Sequence, residues 1–152
     1  MKSRINVSHR WALLPLRLIV GCGFIAHGMA KWSRGPEKFG NLLHFIGVPL
    51  PVPTAWLVTI VEVFGGVAIL VGAFVAIASI PLIVSMVVAA FSLQVRYGFS
   101  SVNTTGLTPT GPTFGPPGYE INLLYIAALL LLALSDPTAL SIDAWSVRRR
   151  RR

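Results

Sequence analysis

TAWLVTIVEVFGGVAILVGAFVAIASIPLIVSMVVAAFSLQV, residues 54–95, carries one charge, that of Glu62. The run is roughly twice the ~20 residues that cross a bilayer as helix, so it reads as two spans, 54–73 and 75–97. A lone acid at membrane depth costs at least ~2.5 kcal/mol to insert unless it is protonated or paired. What Glu62 faces therefore decides how the chain is built.

Outward from this run, the composition sets the class. With 54% hydrophobic residues, 12% charged residues and a mean hydropathy of +0.71, the 152-residue chain is too apolar for a soluble domain. It reads as an all-α membrane protein, a single membrane domain over residues 1–147 followed by a basic tail, 148–152. Two further spans, about 11–30 and 119–137, make a four-transmembrane-helix bundle. The first is interrupted by Arg17 and His27; the fourth has a short apolar part and is expected to extend past Pro137 or to lean on partners. Pro81 lies near the start of its span, where a missing N–H is best tolerated. The basic start and the apolar stretch after it resemble a signal peptide, but Arg17 within the stretch and the membrane-embedded sequence beyond it point to a retained span. The one cysteine, Cys22, permits no internal disulfide and reads as a packing residue.

Basic residues orient the chain. Lys2, Arg4, Arg10 and Arg17 precede or open the first span and Arg148 to Arg152 follow the last, so both termini are expected to be cytoplasmic in a bacterial plasma membrane. Lys31, Arg34, Lys38 and Arg96 then lie on the outer side. Five arginines directly after a span are expected to hold anionic headgroups of membrane lipid, and nucleic acid is not an expected partner. On the outer side, Ser33 to Pro53 holds four prolines and a short amphipathic helix over Glu37 to Ile46, whereas Phe99 to Gly118, rich in Gly, Pro, Ser and Thr, reads as a loop. Trp11, Trp32, Trp56 and Trp145 fall near span ends as interfacial anchors.

Depth and helical phase bring the polar residues together. At ~1.5 Å per residue, Arg17 lies roughly 9 Å from the cytoplasmic end and Glu62 roughly 12 Å below the outer surface. His27, Lys31, Arg96 and Glu120 share the outer edge above Glu62. Arg17, Gly21, Phe24 and Gly28 form one stripe, Glu62, Gly66, Ile69 and Ala73 a second, and Ser85, Ala89, Ser92 and Arg96 a third. Each joins a charge to small residues that let a neighbouring backbone approach, so all three are expected to face inward around a polar interior.

Arg17…Gly21…His27-Gly28…Lys31, then Glu62…Gly65-Gly66…Gly72, then Gly118-Tyr119-Glu120, then Pro137…Leu140-Ser141-Ile142-Asp143 resemble, in order and spacing, the DoxX family of small four-helix membrane proteins. Asp136 and Thr138 stand where that family often has glycines. The resemblance implies a membrane subunit of a quinol-oxidising or thiosulfate:quinone oxidoreductase system.

Three readings of the charges follow. In the first, the chain is an accessory or quinone-handling subunit of a respiratory or sulfur-oxidising complex. His27 then acts as donor and proton exchanger, Glu62 as proton carrier, and Arg17, Lys31 or Arg96 as their charge partners or as donors to the ligand. In the second, the charges only pair and fix the fold: Arg17 with Glu62, and Arg96 or Lys31 with Glu120. Lys31 is otherwise expected to snorkel to the surface. The third, a small transporter, has little support without inverted repeats. No intrinsic cofactor or metal is expected: His9 and His44 lie outside the spans, so haem lacks a second axial histidine, and an iron–sulfur cluster needs several cysteines. Quinone is the one expected ligand, and a second copy or other membrane subunits are the expected protein partners, meeting outward residues such as Phe64, Phe74 and Phe91.

Overall fold

Proline opens three of the helices, at positions whose N–H has no intrahelical partner in any case. These are α1 (Leu14–Arg34), α2 (Pro36–Phe45) and α3 (Pro51–Val71). The computed structural model describes residues 11–150; Lys2, Arg4, His9, Arg10, Arg151 and Arg152, placed above on the cytoplasmic side, lie outside the described residues. Helix α4 (Val75–Ala89) continues through a π turn (Ala90–Gln94) and a 3-10 turn (Val95–Tyr97), and α5 (Glu120–Leu134) and α6 (Ile142–Arg150) complete the helices. The four longer helices pack in a ring: α1 on α3, α3 on α4, α4 on α5, and α5 more sparsely back on α1, with α2 lying against α3.

Two helices, α3 with 21 residues and the α4 run Val75–Tyr97 with 23, are long and apolar enough to cross a membrane. Helix α1 also has 21 residues but carries Arg17 and Lys31, and α5 has only 15, ~22 Å of helix. Pro81 lies inside α4, in its second turn.

Small residues set the closest contact in the bundle. A Cβ added to Gly21 would lie 2.8 Å from the Leu70 backbone nitrogen, and one on Gly66 2.9 Å from that of Ile25, so α1 and α3 touch backbone to backbone. The first two stripes face inward as their phase demands: Arg17, Gly21, Phe24 and Gly28 are buried, as are Glu62, Gly66 and Ile69. Around them Phe24, Ile69, Leu82 and Leu129 form the core, with the Phe24 and Tyr125 rings edge to face at 5.1 Å. Phe64 and Phe91 project outward, 64% and 73% exposed.

Three expectations are corrected. The third stripe turns out of the core along its length: Ser85 and Ala89 are half-buried, Ser92 and Arg96 exposed, and the buried residues are instead Ser79 and Leu82 of α4 and Ala90 of the π turn. The π turn widens the helix by one residue per turn and rotates everything beyond it. The fold is mostly helical as expected, but the segment 99–118 is not all loop: it holds a hairpin, β1 (Thr104–Thr108) and β2 (Gly111–Phe114), antiparallel with Leu107 opposite Pro112 and Thr108 opposite Gly111. Finally, α5 stops at Leu134 rather than running on to Pro137. Ser135 is already extended, and Asp136, the residue before Pro137, is disfavoured in the helical region.

Gly21→Val should lower the unfolding midpoint in detergent by about 5 °C or more, because overpacking at a backbone contact costs about 2 kcal/mol. Cys22→Val, one residue away on the exposed face, should leave the midpoint unchanged.

Candidate functional site

Glu62, 2% exposed in the middle of α3, meets the ammonium of Lys31, which α1 brings across at the Gly28 contact. A Cβ on Gly28 would lie 3.1 Å from the Glu62 Cβ, so only a small residue allows this approach. The Lys31 ammonium also lies 5.1 Å from the centroid of the Phe39 ring on α2, a cation–π contact. Lys31 therefore does not snorkel away from the bundle; its charge is drawn to the buried carboxylate. Thr59, fully buried one turn before Glu62, directs its hydroxyl to the Ala55 carbonyl at 2.7 Å and leaves the carboxylate to Lys31.

His27 stands one turn before Lys31 but is exposed, its ring 6.3 Å from that of Tyr125 on α5. The Tyr125 hydroxyl reaches the α1 backbone beside Gly23, at a point where any Cβ would collide with it.

Arg17 does not pair with Glu62. It lies fourteen residues from Lys31 on α1, roughly 21 Å along the axis. Helix α1 begins at Leu14, so Arg17 falls in its first turn, at the end of the bundle remote from Lys31. There it is 3% exposed and donates to the Thr138 hydroxyl, the Ala139 carbonyl at 3.2 Å and the Leu140 carbonyl at 3.0 Å. Arg96 and Glu120 do not pair either, nor does Lys31 with Glu120. Arg96 donates to the Leu93 carbonyl at 3.0 Å and lies over the Tyr97 ring, while Glu120 accepts from the Ser101 N–H at 2.8 Å and ties down the stem of the hairpin. The six residues thus divide among three places: Lys31 and Glu62 with His27 nearby, Arg17 at the opposite end, and Arg96 and Glu120 in the segments flanking the hairpin.

Residues 135–141 run as a strap over the end where Arg17 lies, and the strap leads into functions that sequence reading left unassigned. Asp143 accepts from the N–H groups of Phe74 at 2.9 Å and Val75 at 3.1 Å, capping α4 from a distant part of the chain, and its own N–H donates to the Gly72 carbonyl at 2.9 Å. Ser141 donates to the Thr138 carbonyl at 2.8 Å and accepts from the Ala144 N–H at 3.1 Å, which starts α6. The left-handed turn at Gly72 (φ 67°) fits beneath them: a Cβ there would lie 2.3 Å from that of Ser141 and 2.6 Å from Arg17 Nη1. A cleft of about 440 Å³ opens beside this junction, with Arg17, Thr138, Ser141 and Asp143 on its wall. The signal available in the sequence was Ser141-x-Asp143 after Pro137, a capping pair with no helix of sufficient apolarity behind it. Among the described residues no three of His, Cys, Asp and Glu gather as a metal's ligand set.

Asp143→Asn should cost about 1–2 kcal/mol, because an amide supplies one acceptor oxygen where the carboxylate supplies two. Gly72→Ala should cost more, since it adds both the left-handed strain and the collision with Ser141. Thermal unfolding of the purified protein in detergent measures both, and unchanged midpoints would mean that the strap is not part of the fold's stability.

The sequence model of the DoxX family matches residues 12–95. The chain is also 30% identical, over 143 residues, to an uncharacterised membrane protein of Mycobacterium tuberculosis, covering 87% of this chain and 79% of that one. No solved structure matches. With the family match covering α1 to α4 and a relative aligned over most of both chains, this is a membrane protein belonging to the DoxX family.

Proposed function

We propose that the chain is a four-span subunit of the bacterial plasma membrane, both termini cytoplasmic, with an accessory role in a quinol- or sulfur-oxidising oxidoreductase complex. Its intramembrane charges hold the bundle together, and electron transfer belongs to a partner subunit. The observation that carries this reading is that the buried acid already has its counter-charge, Lys31, from a neighbouring helix of the same chain. Arg17 takes no part in this pair and is held instead by hydrogen bonds to the strap. An ion pair satisfied within the fold leaves little for a substrate to complete. Four spans are supported by the contact of Arg17, at the start of α1, with the strap that follows α5, which sets those two ends on one face. The basic residues near both ends support a cytoplasmic face there. Exposed apolar residues such as Phe64 and Phe91 suit lipid, a second copy or a membrane partner.

A second reading, quinone handling, is favoured by one arrangement: His27 is exposed beside the Lys31–Glu62 pair, and the Tyr125 ring on α5 is 6.3 Å from it. A quinone headgroup between α1 and α5, whose contact is sparse, would find a donor on each side.

Gentle purification from the native membrane distinguishes the readings. The accessory role predicts co-purified subunits carrying haem, flavin or iron–sulfur absorption. It also predicts that Glu62→Gln lowers the stability of the chain yet leaves quinol oxidation by the assembled complex within about twofold of wild type. A chain isolated alone removes the accessory reading. A tenfold loss of turnover in an intact Glu62→Gln complex, with quinone extractable from wild type, assigns proton chemistry to the pair.

A further inference from the structure

We propose that the cleft beside Arg17 binds the phosphate of an anionic phospholipid. Arg17 is a buried cation whose acceptors are all neutral: one hydroxyl and two backbone carbonyls. Among the described residues no carboxylate lies within ion-pair distance of it, and its Nε–H is buried without an acceptor. A guanidinium removed from water and left in this state is costly unless an anion completes its environment. The cleft it lines, about 440 Å³, is large enough for a glycerophosphate headgroup.

The cleft's lining is two-sided. Arg17, Thr138 and Ser146 offer charge and hydroxyls, whereas Phe74, Leu132 and Ile142 offer apolar surface. That division suits a phosphate joined to an acyl chain better than a free phosphate ion. Phe74 on the apolar side is 71% exposed and so open to an acyl chain. Asp143 also lines the cleft, but both of its oxygens accept N–H groups at the start of α4, where the helix dipole offsets its charge. Arg149 stacks on Trp145 in α6, the helix whose first residues line the cleft. The inference takes the chain as membrane-spanning with this end at the cytoplasmic leaflet, as proposed above. It does not depend on any oxidoreductase partner.

The experiment measures the unfolding midpoint of the full chain, delipidated in neutral detergent, with added phosphatidylglycerol, phosphatidylcholine of the same acyl length, or inorganic phosphate. Phosphatidylglycerol should raise the midpoint by about 5 °C, as expected for a ligand near a hundred times its Kd, and the other two by less than about 1 °C. Ser146→Trp, an exposed position at the cleft, should keep the lipid-free midpoint and abolish the rise. Replacing Arg148 to Arg152 with Gln should preserve it. An equal rise with phosphatidylcholine, a rise with inorganic phosphate alone, persistence of the full rise in Ser146→Trp or its loss in the tail variant would each overturn the proposal. Because the measurement is made on the isolated chain in detergent, its failure leaves the accessory-subunit reading standing.

Discussion

The meeting of Lys31 with Glu62 constrains everything around it. An acid that is almost fully buried on an apolar helix admits few arrangements of its neighbours, and only one rotation and depth of α1 brings an ammonium to it. Dispersion alone would let two smooth apolar helices slide past each other at little cost, because lipid tails offer the same contacts. The ion pair removes that freedom. Glycines on both helices make the pair reachable: Gly28 beside Glu62 itself, and Gly21 and Gly66 farther along the same seam. Charge fixes the register, and small residues fix the distance.

The opposite end is held differently. Arg17 grips the backbone of the strap through carbonyls, and Asp143 caps α4 through two N–H groups, so the end of the chain stitches the start of α1 to the α3–α4 turn. Phe74 and Leu140 both adopt left-handed backbone, which costs of order 1 kcal/mol each for a non-glycine residue. Both lie where the strap's hydrogen bonds converge. The bundle is thus clasped at two ends by two kinds of chemistry, an ion pair between helices and a charge-assisted cap across the chain.

Much of this was legible because membrane helices obey strong rules. A single acid in an uninterrupted apolar run marks an inward face, and its glycines at helical spacing extend that face; both stripes on α1 and α3 proved buried. The choice of partner was less legible. Starting α1 at Leu14 rather than Trp11 moves Arg17 to the first turn, and Lys31, read as a surface anchor, becomes the counter-ion. The π turn at Ala90–Gln94 has no signal in an apolar sequence, yet it turns Ser92 and Arg96 outward. The hairpin was hidden by composition: Gly and Pro in the segment 99–118 suggest irregular structure, whereas its threonines pair across two short strands. Residues 135–143 were the least legible, because the pattern Ser141-x-Asp143 does not name the distant backbone groups that these residues hold.

Whether the buried charge is satisfied within the chain and fixes the packing of α1 on α3 is decided by a double-mutant cycle. Lys31→Met, Glu62→Leu and the combined variant would be compared by reversible unfolding in detergent. Each single change should cost about 3 kcal/mol or more by leaving a buried charge alone, and the combined variant should recover most of the loss, giving a coupling of about 2 kcal/mol or more. Losses that simply add would contradict that role of the pair, for the two side chains would then act independently and the seam between α1 and α3 would rest on its glycines alone.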